Sequence, residues 1–231
     1  MENGAAKIPC QVLDLGLKPY EDALQLQLRL QQERAAGAGK DTILLLQHPP
    51  VLSLGKCGSR QDILVSDEFL GERGIPVVRT DRGGATAFHN PGQLVTYVIF
   101  SLAALNISIY RFVRDLEEVA VRVLADFGIT GQTLHEYPGV WVANSNICSL
   151  GLSVSDRVSM HGLALNVNNS LDLLSYMSPC GIWGKGVTTM AKVLQTDITV
   201  EQVTPSLIKH FSSIFALDID YRLGLADTAQ G

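Results

Sequence analysis

The sequence predicts an α+β fold, in which strand hairpins and separate helices share one chain. Between Ser108, a suitable N-cap, and Gly128, apolar residues recur at three- and four-residue steps, which indicates an amphipathic helix. Apolar runs bounded by turn residues between positions 140 and 167 predict strands joined as hairpins instead. Because helices and strands do not alternate strictly, a regular βαβ arrangement is not expected.

The first half of the chain mixes both kinds of element. Residues 20–36 are rich in Leu, Gln, Glu, Arg and Ala, which favour helix, and Pro19 suits the first helical position. A shorter helix is predicted after Ser66, whose hydroxyl can cap it, because two acidic residues follow. The apolar runs of this half predict strands at 10–17, 42–47, 51–54, 75–80 and 94–100.

The second half is predicted to continue with three strands and to end with a helix. The strands cover 140–142, 147–154 and 158–167, with turns at 144–146 and 155–157. Thr199 and Gln202 have the spacing of a capping box, so a helix should begin there. Pro205 is expected to bend or delay that helix, because proline lacks the N–H that the helix interior uses.

Composition excludes several classes of function. The 231 residues carry a net charge of −5 and are 46% hydrophobic, which suits a single domain over 1–231 and argues against nonspecific nucleic-acid binding. No apolar run approaches the length of a membrane span, and the N-terminus lacks the apolar region of a signal peptide. The four cysteines are scattered, so neither a metal site nor a disulfide framework is indicated. We expect a cytoplasmic protein without nucleic-acid or membrane partners.

The stretch 82–93 is the strongest candidate for a binding loop. It places three glycines, an arginine and His89 between two predicted buried strands. A long hairpin connection with ordinary turn residues is the alternative. Arg82 could bind a carboxylate or phosphate, or it could brace the loop by bonding backbone carbonyls.

Two further positions could carry chemistry. Cys180 lies between Pro179 and Gly181, and a tight turn there could present the thiol as a nucleophile. A small buried hydrophobe is the alternative interpretation of Cys180. His89 and His161 could donate to an acyl carbonyl or polarise a thiol, or they could be satisfied core histidines.

Several stretches together resemble the lipoyl(octanoyl) transferase family. Residues 82–93 resemble its R-G-G-x-x-T-[YF]-H-G-P-G-Q motif. Order and spacing of the motifs hold from about residue 10 to about residue 217. Residues 48–55 resemble its H-P-P-V-[YF]-T-x-G motif, and residues 147–152 resemble its K-I-x-x-[IL]-G motif. Residues 161–167 resemble H-G-[FL]-A-L-N-V, and residues 179–188 resemble P-C-G-[IL]…G-V-T.

The resemblance implies a fold similar to the catalytic domain of biotin and lipoate protein ligases, with mixed, mainly antiparallel sheets flanked by helices. It implies transfer of an octanoyl group from octanoyl-acyl carrier protein to a lysine of lipoyl domains, those of 2-oxoacid dehydrogenase complexes and of glycine cleavage H protein. Cys180 would carry the acyl group as a thioester, and no cofactor is expected. The implied acyl-site residues are Arg82, Gly83, Gly84, Ala85, Thr86, Ala87, Phe88, His89, Ser149, Leu150, Gly151, Gly162, Leu163 and Ala164.

The chain departs from the family pattern at three positions: Ala87 stands where the family has threonine, Asn90 stands where it has the glycine after the histidine, and the third departure bears directly on the chemistry. Asn146 stands where the family has a lysine whose ammonium lowers the pKa of the catalytic cysteine, and an amide carries no charge. Three hypotheses therefore follow: an octanoyltransferase, a non-catalytic relative that binds an acyl chain or a partner protein, and an ATP-dependent ligase. The ligase is the weakest, because ligases of this fold also use a lysine at the position of Asn146.

Overall fold

Twelve strands and five α-helices make up the part of the chain that the computed structural model describes, residues 7–177 and 186–224. The strands are β1 (Ile8–Leu17), β2 (Asp41–Gln47), β3 (Val51–Leu54), β4 (Val77–Arg79), β5 (Thr86–His89), β6 (Gln93–Ile99), β7 (Gln132–Thr133), β8 (Gly139–Val142), β9 (Ser145–Ser155), β10 (Val158–Asn166), β11 (Gly186–Val187) and β12 (Leu217–Leu223). The helices are α1 (Tyr20–Ala35), α2 (Asp67–Glu72), α3 (Ile109–Asp126), α4 (Met190–Leu194) and α5 (Val200–Phe215). Short 3-10 helices cover Arg60–Asp62 and Asp172–Tyr176.

The strands form two sheets of mixed direction. The larger sheet has the order β12-β1-β2-β6-β10-β9-β8-β7, and β11 pairs with β9 beside that path. The smaller sheet has the order β4-β3-β5. In the larger sheet, neighbouring strands pair antiparallel along the path β2-β6-β10-β9-β8-β7, and the pairs β12–β1, β1–β2 and β11–β9 are parallel. In the smaller sheet, β3 pairs parallel with β4 and antiparallel with β5. The predicted α+β class, with mixed and mainly antiparallel sheets flanked by helices, is confirmed.

Helices cover both faces of the larger sheet. On one face, α3 and α5 bury an aromatic cluster that includes Phe112, Phe211 and Phe215. On the other face, α1 contributes Ala23 to a second buried cluster, which includes Leu44 and Tyr97. The smaller sheet buries its own apolar residues, among them Leu52 and Phe88. No helix in the described ranges is long and apolar enough to cross a membrane.

The predicted helix ends are largely confirmed. Ser108 caps α3 by accepting the N–H of Arg111, and Gly128 follows that helix with a φ of +75°. Thr199 and Gln202 form the predicted capping box at the start of α5. The helix after Ser66 is also present, with the Ser66 hydroxyl accepting the Phe69 N–H.

Three local predictions were wrong in detail. Pro19 is the N-cap of α1 rather than its first helical residue, with an extended ψ of 145°. The turn before β9 uses residues 143–144 only, so Asn146 lies within a strand. Of the two effects expected of Pro205, the delay does not occur, because the capping box fixes the start of α5 at Val200; a bend of the helix stays a prediction.

Candidate active site

A small cavity of about 50 Å³ lies between α1, the smaller sheet with its Gly-rich loop (the stretch 82–93, which includes β5), and one face of the larger sheet. Leucine, valine and alanine side chains supply much of its wall, and the polar groups come from a few tyrosines, histidines, Ser149 and Arg82. The lining residues are Tyr20, Arg82, Ala87, His89, Val95, Tyr97, Ser149, Leu150, Gly151, His161, Gly162, Leu163 and Ala164. Such an apolar pocket with a few convergent polar groups is typical of a small-molecule site.

The structure brings most of the predicted acyl-site residues together here. Those that line the cavity are Arg82, Ala87, His89, Ser149, Leu150, Gly151, Gly162, Leu163 and Ala164. The other predicted residues of the Gly-rich loop, from Gly83 to Thr86, and Phe88 are not among the lining residues. Phe88 packs in the core of the smaller sheet, and the Thr86 hydroxyl donates to Asp62. Their role in substrate binding stays a prediction.

The glycines of the site serve contacts between strands. A Cβ on Gly162 would collide with the carbonyl oxygen of Thr96 on β6, so only glycine fits at this point of the β10–β6 pair. A Cβ on Gly151 would lie 3.1 Å from the carbonyl oxygen of Gly83. The glycines therefore let the Gly-rich loop and β6 approach β9 and β10 closely.

Arg82 braces the floor of the cavity. Its guanidinium donates to the carbonyl oxygen of Ser53 at 2.6 Å, to the Ser53 hydroxyl and to the carbonyl oxygen of Gly83 at 3.1 Å. The side chain is buried. Of the two interpretations of Arg82 drawn from the sequence, these contacts correspond to the one in which it braces the loop through backbone carbonyls.

Two buried histidines beside the cavity have both ring nitrogens occupied. His48 Nδ1 lies 2.6 Å from the carbonyl oxygen of Lys18 and therefore donates, which leaves Nε2 to accept the Tyr97 hydroxyl at 2.7 Å. His89 Nδ1 donates to Gln93 Oε1 at 2.7 Å, and its Nε2 lies 3.3 Å from the Ser53 hydroxyl. Burial lowers the pKa of His48 to about 4, and burial with nearby cationic groups lowers the pKa of His89 to about 3. Both rings are neutral at physiological pH.

His161 differs from them in backbone and in partners. It has a φ of +61° in the middle of β10, a conformation that non-glycine residues rarely adopt. Its main-chain N–H donates to the side-chain oxygen of Gln27 on α1 at 2.9 Å. Its Nε2 lies 2.8 Å from Asp81 Oδ1, and this hydrogen bond is the largest cause that lowers the pKa of Asp81 to about 2.

Asn146, at the position of the expected lysine, is bound to the main chain around it. Its amide nitrogen donates to the carbonyl oxygen of Cys148 at 3.1 Å and to that of Val140 at 3.4 Å. Its amide oxygen accepts the Ser149 hydroxyl at 2.8 Å. Asn146 thus contacts the cavity through Ser149 and is not itself a lining residue.

The predicted nucleophile, Cys180, lies outside the described residues. Of the other cysteines, Cys10 and Cys148 are buried, and burial raises the pKa of both thiols far above the ordinary value. Cys57 is exposed. No group of His, Cys, Asp and Glu side chains in the described ranges could hold a metal ion.

Comparison with known proteins identifies the family. Residues 19–212 match the model of the lipoyl protein ligase A/B catalytic domain. A protein from Roseiflexus sp. (strain RS-1) named octanoyltransferase is 42% identical over 210 residues, which cover 90% of this chain and 88% of that one. The chain belongs to the octanoyltransferase family. It is an acyltransferase, as this family's name states.

Solved structures share the fold of this octanoyltransferase family member at low identity. The bipartite lipoate protein ligase from Thermoplasma acidophilum, described with its E2 lipoyl domain, has a TM-score of 0.73 and 17% identity, covering 95% of this chain and 88% of that one. The biotin protein ligase from Aquifex aeolicus, in complex with biotin and ATP, has a TM-score of 0.57 and 12% identity, covering 89% and 70%. The predicted likeness to the catalytic fold of biotin and lipoate ligases is confirmed.

Sequence reasoning missed part of the cavity wall. Tyr20, Val95 and Tyr97 line it, yet none lies in a stretch used to define the site. Asp81, which is exposed and is not a lining residue, was also missed, because its partner, the lining residue His161, is 80 residues away in the sequence. The one available signal was position, since Tyr20 begins α1 and Asp81 directly precedes the Gly-rich loop.

Proposed function

We propose that the protein transfers an octanoyl group from octanoyl-acyl carrier protein to a lysine of a lipoyl domain, through a thioester on Cys180. The observation that carries this proposal is the convergence of nine of the fourteen predicted acyl-site residues on one cavity. Membership of the octanoyltransferase family supports the choice of acyl group.

The chemistry suits a thiol intermediate. Exchange of the acyl group between two thiols makes one thioester and breaks another, so the first step is nearly balanced. Aminolysis by the lysine then forms an amide and draws the reaction forward. Neither step requires a metal or an organic cofactor, and we propose none.

The cavity is large enough to hold only part of an octanoyl chain. A cavity of about 150 Å³ accommodates benzene, so about 50 Å³ holds only the end of an eight-carbon chain. The rest of the chain would extend along the strands β9 and β10 towards Ser149, which is exposed. Leu150, Leu163 and Ala164 supply apolar contacts on that course.

The partners follow from the same reaction. The acyl donor would be octanoyl-acyl carrier protein, and the acceptors would be lipoyl domains of 2-oxoacid dehydrogenase complexes and of glycine cleavage H protein. The Thermoplasma ligase that shares this fold is described with an E2 lipoyl domain, which supports a lipoyl domain as acceptor.

A second candidate function is a non-catalytic relative that binds an acyl chain or one of these partners. The observation that favours it is Asn146, because its uncharged amide is bound to the main chain and to Ser149. An ammonium beside the thiol would favour the thiolate, and the amide does not.

Intact mass spectrometry after incubation with octanoyl-acyl carrier protein separates the two functions. We expect a mass increase of one octanoyl group, located on the peptide that contains Cys180, followed by its transfer to an added lipoyl domain. The Cys180→Ser variant should abolish the thiol adduct, and Cys57→Ser, which removes an exposed thiol, should not. An adduct on another cysteine, or none after long incubation, favours the non-catalytic relative.

A further inference from the structure

The sheet side of the cavity consists of two rows of paired residues that run across β6, β10 and β9. In that strand order the rows are Val95–Ala164–Ser149 and Tyr97–Gly162–Gly151. Alternate residues of a strand lie on the same face of a sheet, so both rows lie on one face. The residues from β6 have the larger side chains, whereas those from β10 and β9 are glycine, alanine or serine. A trough therefore lies over β10 and β9, and the side chains of β6 form a wall at one end of it.

The trough is closed at β6 and open at β9. The exposed fraction is 1% for Val95 and 7% for Ala164, whereas Ser149 is exposed. The next residue of the row beyond Val95 is Leu46 on β2, which is also buried. Val95 and Leu46 belong to one apolar cluster with Ala23 of α1. A chain that enters the trough at Ser149 therefore meets the Val95 side chain at the far end of the row.

The closed end suits the methyl end of an acyl chain. Val95 and Ala164 present only methyl groups there, and burial lowers the pKa of the lining residue His89 to about 3, so that its ring is neutral. The guanidinium of Arg82 is bound to the carbonyl oxygens of Ser53 and Gly83. An acyl group on a carrier protein is attached through its carbonyl carbon, so that carbon must stay at the open end.

The length of the trough matches eight carbons. Neighbouring strands lie about 4.8 Å apart, so Val95 and Ser149, which are two strands apart, are separated by about 10 Å. An extended covalent chain advances about 1.2 Å per bond, so the seven C–C bonds of an octanoyl group span about 8 Å. The Val95 side chain occupies part of the remaining distance. Two further carbons would add about 2.4 Å and would displace the carbonyl carbon beyond Ser149.

We propose that Val95 is the residue that limits the length of the acyl chain by contacting its methyl end. This inference rests on the proposed function, because it names the part of the acyl site that selects eight carbons. It depends on the register of β6, β10 and β9 and on the burial of Val95, all of which lie within the described residues. Removing methyl groups at Val95 should lengthen the trough, and adding one should shorten it.

Binding of free fatty acids tests the limit without requiring catalysis. Isothermal titration calorimetry with hexanoate, octanoate and decanoate gives the Kd for each chain length. For the native protein, Kd should fall about fourfold per added methylene up to octanoate, which is the gain from burying one CH₂ group, and should not fall further for decanoate. With Val95→Ala, the preference for decanoate over octanoate should rise about 15-fold, because two more methylenes are buried. Val95→Ile should shift the preference about fourfold towards hexanoate.

Val98→Ala is the matched control. It makes the same truncation on the same strand, but Val98 is buried in the cluster on the α3 and α5 face and does not line the cavity. Its Tm should fall, as that of Val95→Ala should, because both truncations remove core contacts. The chain-length preference of Val98→Ala should nevertheless equal that of the native protein, which separates a contact with the ligand from a general loss of packing.

The same chain lengths are then presented as acyl-acyl carrier proteins, and acyl-enzyme formation is followed by intact mass. Equal chain-length preferences of Val95→Ala and Val98→Ala would overturn the role of Val95, and so would a native protein that binds none of the acids or continues to gain affinity at decanoate. Limited chain length in binding, without any acyl-enzyme, would instead overturn the proposed function and leave the role of Val95 in place.

Discussion

The amide nitrogen of Asn146 lies 3.1 Å from the carbonyl oxygen of Cys148, two residues along the same strand. The short side chain is therefore folded back on β9, while its oxygen fixes the Ser149 hydroxyl at the cavity. An ammonium on a longer side chain at this position would not be limited to these local contacts. The electrostatic help that a thiol would gain from it is absent in the native chain.

Replacement of Asn146 by lysine should activate the proposed nucleophile. In the native protein we expect Cys180 to titrate near a free cysteine, about 8.5, and Asn146→Lys to lower that value because a nearby cation favours the thiolate. Iodoacetamide reactivity against pH, in a Cys57→Ser background that removes the exposed thiol, measures the change. Single-turnover acylation should accelerate in parallel. A native thiol that already titrates well below neutrality would contradict this expectation.

Gly162→Val should destabilise the fold. The valine side chain would collide with the Thr96 carbonyl and disrupt the β10–β6 pair, at a cost of about 1–3 kcal/mol or more. In a chain of this size that lowers Tm by about 2–4 °C per kcal/mol. The control is Gly71→Ala in α2, where no atom lies within 4 Å of the new Cβ, and it should be neutral or stabilising. Equal Tm values for the two variants would contradict the role assigned to Gly162.

Arg82→Lys should loosen the Gly-rich loop although it keeps the charge. Lysine cannot reproduce the fork that binds the Ser53 carbonyl, the Ser53 hydroxyl and the Gly83 carbonyl together. Unpaired buried acceptors cost about 1–3 kcal/mol each, so denaturation by urea should shift to lower concentration. Arg73→Lys, at an exposed position at the end of α2, is the control. If Arg82→Lys retains native stability and octanoyl transfer, the bracing role is refuted.

The buried histidines predict how stability depends on pH. The folded pKa of His48 is about 4 and that of His89 about 3, both below the unfolded value of about 6.5. As pH falls below about 6.5 the unfolded chain takes up protons that the folded protein refuses, so stability is lost down to about pH 4. Each histidine contributes a slope of about 1.4 kcal/mol per pH unit in this window.

Urea denaturation at several pH values between 4 and 7 measures that slope. His48→Gln should reduce the slope by about 1.4 kcal/mol per pH unit, the contribution of one proton, because one of the two buried rings is removed. A native slope that is already flat between pH 6.5 and 4 would show that these rings are protonated in the folded protein.

The sequence alone determined the fold class, most element bounds and the family. Apolar periodicity placed α3 between Ser108 and Gly128, because an amphipathic helix repeats every 3.6 residues whatever it packs against. The cap residues Ser66 and Thr199 predicted helix starts correctly because capping is also local: each side chain bonds an N–H group only three residues away. The motif stretches also contained most of the cavity wall, including Arg82, Ser149 and Gly162.

Only the tertiary structure decided what these residues contact. The pairing of His161 with Asp81 and the capture of its main-chain N–H by Gln27 join positions 80 and 134 residues apart, and local pattern carries no information about such pairs. Local pattern likewise does not show that Gly162 lies against Thr96 of β6 as well as in the cavity wall. Hydrogen-bond partners fix which nitrogen of each buried histidine is basic, and those partners exist only once the two sheets and α1 have packed together.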